Sequence, residues 1–223
     1  MTRAIWGIIY DLPEPGRGEY LTWFHDVHMP EKMARPGYAW AAHYEVVSRE
    51  GHHVSSRASG QEGNAGQGYI ALFGGEDTQV FLNPSPAQIK PRQTPLTREM
   101  MGRRIGQRSF IAAEEWRIEG GRPAGLEDSP LIHVTCCDAS HNDEAFGAWC
   151  VQELVPALRQ DPALCVLTKM LAATGPAKHV VLAGFQSMPR AQSFAPPMAT
   201  HINGSPFPAQ RISHLRSVMH DDD

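Results

Sequence analysis

Two histidines stand three residues apart, His25 and His28, inside the stretch Tyr20 to Tyr44, YLTWFHDVHMPEKMARPGYAWAAHY. Imidazole is the side chain that most readily exchanges a proton near neutral pH. An H-x-x-H pair can therefore begin a metal site or work on protons. A metal needs at least a third ligand, and none stands at diagnostic spacing, so no metal is expected. His28 is the sharper candidate, as a general acid/base or as a hydrogen-bond donor to a substrate oxygen. Glu31, three residues further along a helix, can reach back to orient it. The expected catalytic pair is His28 and Glu31. Trp23, His25, Tyr44 and Trp6 are the expected substrate-binding residues, with His25 at the rim and the aromatics as walls. Each also has a plainer reading: His28 as a core histidine bonded to a carbonyl, Glu31 as a solvated carboxylate, the aromatics as ordinary core.

These residues need a helix and strands to hold them. Apolar positions Tyr20, Leu21, Trp23, Phe24, Val27 and Met33 recur near helical spacing, predicting a helix over residues 18–34. Pro30 lies within it and should kink or loosen the helix around Val27 to Pro30. Arg35-Pro36-Gly37 ends it. Strands are expected over residues 4–10, 38–47, 69–73 and 109–118, from β-branched and aromatic runs bounded by turn residues. In the second strand Trp40, Ala42, Tyr44 and Val46 share one face, and His43 lies on the other. Ser48 to Gly68 reads as a polar loop. Asn83 to Thr97, with four prolines, reads as an extended arm or lid leading into a short helix. The basic run Met101 to Arg108 reads as solvated surface.

The second half begins again. A strand over 131–137, a helix over 143–159, strands over 164–171 and 179–185, a Pro-rich arm over 188–208 and a last strand over 211–219 repeat the first order of elements. A shift of 126 residues places Tyr20 on Phe146, Trp23 on Trp149, Pro30 on Pro156 and Pro36 on Pro162. A tryptophan and two prolines coincide at one offset, which predicts a duplicated domain, residues 1–120 and a degenerate copy at 129–223. Under the same shift His28 meets Leu154 and Glu31 meets Ala157, so the chemistry is expected in the first half only.

Composition narrows the rest. The chain has 223 residues and a formal net charge of −4, without a dense basic patch, which argues against nucleic acid as a partner. No stretch approaches the length of a membrane span, and the N-terminus reads as a first strand rather than a signal peptide; a cytoplasmic location is the expectation. Cys136, Cys137, Cys150 and Cys165 form no C-x-x-C and read as buried reduced thiols. No dinucleotide-binding, P-loop or nucleophile-elbow motif is present.

The pattern W-F-x-x-x-H-x-P-E (Trp23, Phe24, His28, Pro30, Glu31), then P-G (Pro36, Gly37), resembles the EthD-like branch of the dimeric α/β-barrel superfamily. Ser85-Pro86 and the later T-P-x-T (Thr94, Pro95, Thr97) are similar to the tail of many relatives. The resemblance covers residues 1–118; over 129–223 it rests on the repeat, whose helix keeps the tryptophan and proline and lacks the histidine. It implies an α+β fold: two tandem ferredoxin-like repeats with antiparallel sheets, pairing as an intramolecular dimeric α/β barrel. The superfamily hosts cofactor-free monooxygenases, lactone isomerases, polyketide cyclases and decarboxylases, haem enzymes and proteins without known activity. The expected function is thus a cofactor-independent enzyme on an aromatic or polyketide-like molecule, with His28 as acid/base. A non-catalytic binding or accessory protein and a haem or metal protein are the alternatives. A small-molecule ligand is the expected partner, and a homodimer the candidate assembly.

Overall fold

The computed structural model describes residues 3–47, 67–139, 142–188, 201–202 and 209–217. The loop expected over Ser48 to Gly68 and the arm over Met188 to Pro208 fall almost wholly outside them. So do His52, His53 and His220. Among the described residues nine strands occur in the order β1 Ala4–Leu12, β2 Tyr38–Val46, β3 Gln67–Gly75, β4 Ile105–Glu119, β5 Leu131–Asp138, β6 Leu164–Thr174, β7 His179–Phe185, β8 His201–Ile202 and β9 Ala209–Arg216. Every ladder is antiparallel.

The strands run β7-β6-β4-β1-β3-β2-β9-β5, and β5 pairs back to β7. This closes an eight-stranded barrel, with two-residue β8 attached at the outer end of β5. The expected pair of ferredoxin-like sheets is therefore corrected: the molecule is one closed antiparallel β-barrel carrying short helices. The reason lies in β4. At 15 residues it is longer than β1, so Ile105 to Ala113 pair with β1 and Ile111 to Glu119 pair with β6. At the opposite seam β9 pairs with both β2 and β5. No strand edge separates one half from the other, and closure satisfies backbone groups that two open sheets would leave exposed.

Strand alternation sorts side chains into two environments. Ile5, Ile9, Trp40, Ala42, Tyr44, Val46, Phe110, Val134 and Met170 pack inside the barrel. Trp6, Tyr10, Ala41, Tyr69 and Phe73 point outward and are covered by the first helix. A matching outer cluster, with Phe146, Cys150, Leu154 and Leu158, lies under the second. All four cysteines are buried and free. Burial pushes the thiols of Cys136 and Cys137 up to about 12, so they stay protonated. Among the described residues, no helix is long and apolar enough to cross a membrane.

Both covering helices carry the same irregularity. The first runs α1 Arg17–Trp23, a π-helical segment Phe24–His28, then α2 Met29–Met33. The Met29 N–H bonds to the Phe24 carbonyl, five residues back. The second helix has its π segment at Cys150–Leu154, between α6 Asp143–Trp149 and α7 Val155–Arg159. In each, a proline follows the segment by two residues. Proline has no N–H to donate, and a wider turn accommodates the missing bond. The loosening expected near Pro30 takes this form. The Pro-rich arm is not fully extended: Pro86 and Pro95 open short helices, α4 Pro86–Ile89 and α5 Pro95–Gly102, behind the caps Ser85 and Thr94.

Candidate functional site

His28 leaves the π segment facing the sheet and is only 5% exposed. It stacks on Trp23 at 4.7 Å between ring centroids and touches Phe24 at 5.7 Å. Its Nδ1 has no hydrogen-bond partner. Glu31 is the nearest carboxylate, 3.9 Å from that nitrogen and itself mostly exposed, too far for a hydrogen bond. Burial, then the positive charges of Lys32, Arg104 and Arg35, lower the His28 pKa to about 3. His28 is therefore neutral at pH 7.

Two cations flank it that the sequence reading passed over. Lys32 is 6% exposed, with its ammonium 5.1 Å above the ring of Trp6. Burial, with Arg35 and Arg104 adding to it, lowers its pKa to about 8. Arg104 is 9% exposed and lies flat over Tyr10, its guanidinium carbon 4.2 Å from the ring centroid, with Phe24 at 5.4 Å. Its Nε donates to Tyr20 at 2.6 Å and one terminal nitrogen donates to Gln107 at 3.1 Å, while Nη2 has no partner. The expectation of solvated surface for Met101 to Arg108 fails at this residue. Arg103 beside it does face outward, paired with Glu19 and Glu99.

From Arg104 a chain of hydrogen bonds runs under the helix to its rim. Tyr20 donates to Tyr10 at 3.3 Å. The Tyr10 hydroxyl lies 2.8 Å from Nε2 of His43, and Nδ1 of His43 lies 2.8 Å from Nε2 of His25. With Tyr20 donating, the polarity that serves every hydroxyl hydrogen has Tyr10 donating to His43 and His43 donating to His25. His43 is fully buried, and burial holds it neutral, well below the usual imidazole pKa. Replacing Tyr10 with Phe keeps the ring and removes the hydroxyl that links Tyr20 to His43. The expected result is a loss of about 1–3 kcal/mol in urea unfolding. An unchanged unfolding midpoint and slope would show that the link carries no stability.

The structure brings His28, Glu31 and Trp23 together and sets Trp6 beside them through Lys32. His25 belongs to the relay with His43 instead. Tyr44 is not in this place: it points into the barrel, where its hydroxyl donates to the carbonyl oxygens of Leu126 at 3.1 Å and Ser129 at 3.4 Å. His43, on the opposite face of β2, is the residue that meets the helix. Lys32 was findable, since it lies four residues after His28 on the same helical face. Arg104 carried no local signal.

The second half differs at each matching point. Lys169, 126 residues after His43, is buried and paired with Glu115. Val151, opposite His25 under that shift, is exposed. It edges an open groove of about 520 Å³ with Trp116, Ile118, Val155, Pro156 and Arg159. Among the described residues no three His, Cys, Asp or Glu side chains converge as a metal site would require.

The sequence matches no known family profile and no curated protein. Solved structures share the fold, among them the following three. An anthrone oxidase-like protein aligns over 98% of this chain and 94% of its own, with a TM-score of 0.64 and 10% identity. A candidate monooxygenase from Lactobacillus acidophilus NCFM aligns over 96% and 97%, with a TM-score of 0.51 and 11% identity. Another from Fusobacterium nucleatum subsp. nucleatum ATCC 25586 aligns over 96% and 95%, with a TM-score of 0.52 and 8% identity. At these identities the likeness is one of fold.

Proposed function

We propose that the chain is a small-molecule enzyme of the monooxygenase type, working without a resident cofactor on an aromatic or polyketide-like substrate, with His28 as its proton acceptor. The observation that carries this reading is the setting of His28: a neutral, buried imidazole with an unpartnered nitrogen, held between Trp23 and two cations. A C–H or O–H acid placed against that nitrogen would develop negative charge beside Lys32 and Arg104. The developing anion offsets the same charges that keep His28 weakly basic, so its proton affinity rises when substrate ionises. The resulting carbanion is electron-rich enough to reduce dioxygen. For a methylene substrate the balance is one CH₂ plus one O₂ giving one C=O and one H₂O, through a hydroperoxide that eliminates water.

The names of the fold neighbours point in the same direction. Glu31, 3.9 Å from Nδ1, would act on His28 by its charge rather than by a hydrogen bond, and Trp23 and Trp6 would wall the ring system. We further read the halves 1–120 and 129–223 as products of duplication and the first half as EthD-like. The two π segments, separated by the same 126 residues that align the tryptophans and prolines, support the duplication.

The test is oxygen uptake with an enolisable aromatic such as anthrone. One O₂ per substrate consumed is expected, and His28→Ala should slow turnover about 10²–10⁴-fold. Unchanged turnover in His28→Ala would overturn the assignment of that residue. Binding of anthrone with no chemical change would select a non-catalytic binding protein.

A further inference from the structure

Three Lys and Arg side chains are buried among the described residues: Lys32, Arg104 and Lys169. Lys169 has a carboxylate on it, from Glu115. Lys32 and Arg104 have none at ion-pair distance, although they lie within electrostatic reach of one another; the mostly exposed Glu31 acts on Lys32 only from further off. A buried charge is costly unless it is paired, and two neighbouring ones of like sign cost more. The same place holds two unpartnered hydrogen-bonding atoms, Nη2 of Arg104 and Nδ1 of His28. Both residues contact one face of the site through Phe24, and Lys32 follows His28 by one helical turn. Around them stand the rings of Trp6, Trp23, Phe24 and Tyr10. An apolar aromatic wall with two cations that no ion pair at contact distance neutralises, and two idle polar atoms, is complementary to a flat ring that carries a negative oxygen.

We propose that this site binds its ligand as an aromatic oxyanion, a phenolate or an aromatic carboxylate, with the charged oxygen between Lys32 and Arg104 and the ring against Trp6 and Trp23. The proposal rests on the reading of the surroundings of His28 as a small-molecule site and adds the charge state of what binds there. Arg104 would donate its idle Nη2–H to the oxygen, and Lys32 would supply the second positive charge. The partners that Arg104 already has, Tyr20 and Gln107, hold the guanidinium in place so that little reorganisation accompanies binding.

The full chain would be titrated with three probes of similar shape: 4-nitrophenol, 2-naphthoate and uncharged 2-methylnaphthalene. Quenching of tryptophan emission reports binding, since Trp6 and Trp23 form the walls. Absorbance of 4-nitrophenolate reports its ionisation. The expected result is that at least one anion binds about tenfold or more tightly than 2-methylnaphthalene. Bound 4-nitrophenol should ionise about one pH unit or more below its free value if the site takes phenolates. Tight 2-naphthoate with no such shift would assign the site to carboxylates. Lys32→Met and Arg104→Gln should each weaken the favoured anion about tenfold while leaving 2-methylnaphthalene within about twofold. Lys32→Arg keeps the charge and should keep most of the anion affinity. It also preserves a reading should Arg104→Gln fail to fold. Equal binding of charged and neutral probes, or binding of none of them, would overturn the proposal. Charge-dependent binding without oxygen uptake would support it and remove the enzyme reading; oxygen uptake without charge preference would do the reverse.

Discussion

Acidified from about pH 7.5 to about pH 5, the protein is expected to lose at least about 4 kcal/mol of unfolding free energy. Three buried histidines set the direction, and two of them set this figure. Burial lowers His28 to about 3 and His133 to about 4, and holds His43 well below its ordinary value. In the unfolded chain each returns to about 6.5. The unfolded state therefore binds more protons than the folded one between those values. The stabilisation is full above about pH 6.5 and is lost as pH falls toward the folded pKa values. At about pH 5, about 1.5 units below the unfolded pKa, His28 and His133 each account for about 2 kcal/mol, and His43 acts in the same direction. Domains are commonly stable by only about 5–15 kcal/mol, so acid unfolding should begin near pH 5. Urea unfolding at the two pH values measures it, and a difference under about 1 kcal/mol would mean that the three imidazoles do not stay neutral and buried.

Phe110→Ala should cost about 3–5 kcal/mol. Phe110 is 2% exposed and stands inside the barrel on β4. Its ring fills the space left by Gly7, where an added Cβ would lie 2.2 Å from it, and its own Cβ is 2.9 Å from the Cβ position of Gly175. Truncation leaves a cavity between rigid backbones, which have little freedom to close over it. The loss should appear as a lower midpoint in a single cooperative transition, because β4 pairs with β1 of one half and β6 of the other. Two separated transitions followed by fluorescence and circular dichroism would contradict that shared seam.

Much of this architecture can be read along the chain. The helix over residues 18–34 and the strand over 38–47 match α1 to α2 and β2 within a residue or so. The faces of β2 were also legible, with Trp40, Ala42, Tyr44 and Val46 together inside the barrel. Which of those faces meets the helix was not. The other face carries His43 and Glu45 and reads from sequence as exposed or barrel-lining, so Tyr44 was expected where the fully buried His43 stands. Barrel closure was hidden for a related reason. It depends on β4 and β9 each serving two partners far away in sequence, and local periodicity holds no record of pairing. Arg104 is the clearest case at the site. Beside Arg103 in a basic run it looks solvated, and its burial is made tolerable by residues far away in sequence: Tyr10 under its guanidinium and Tyr20, 84 residues earlier, accepting from its Nε. Lys32 differs, because its place one turn beyond His28 was available from spacing alone.

The wide turn at Phe24–His28 amounts to one surplus residue in a helix that otherwise counts 3.6 to the turn. Each residue advances a helix by about 100°, so everything after the surplus is rotated by about that angle relative to an unbroken helix. Tyr20 and Trp23 sit before the offset, His28 and Lys32 after it. A regular helix carrying the same residues would direct one of these pairs away from the sheet. The surplus lets a single covering element aim two different stripes at one place, the first supplying rings and the relay tyrosine, the second supplying nitrogen and charge. The second helix keeps the same offset without a histidine in it, so the geometry that makes such a site possible is separable from the residues that would use it.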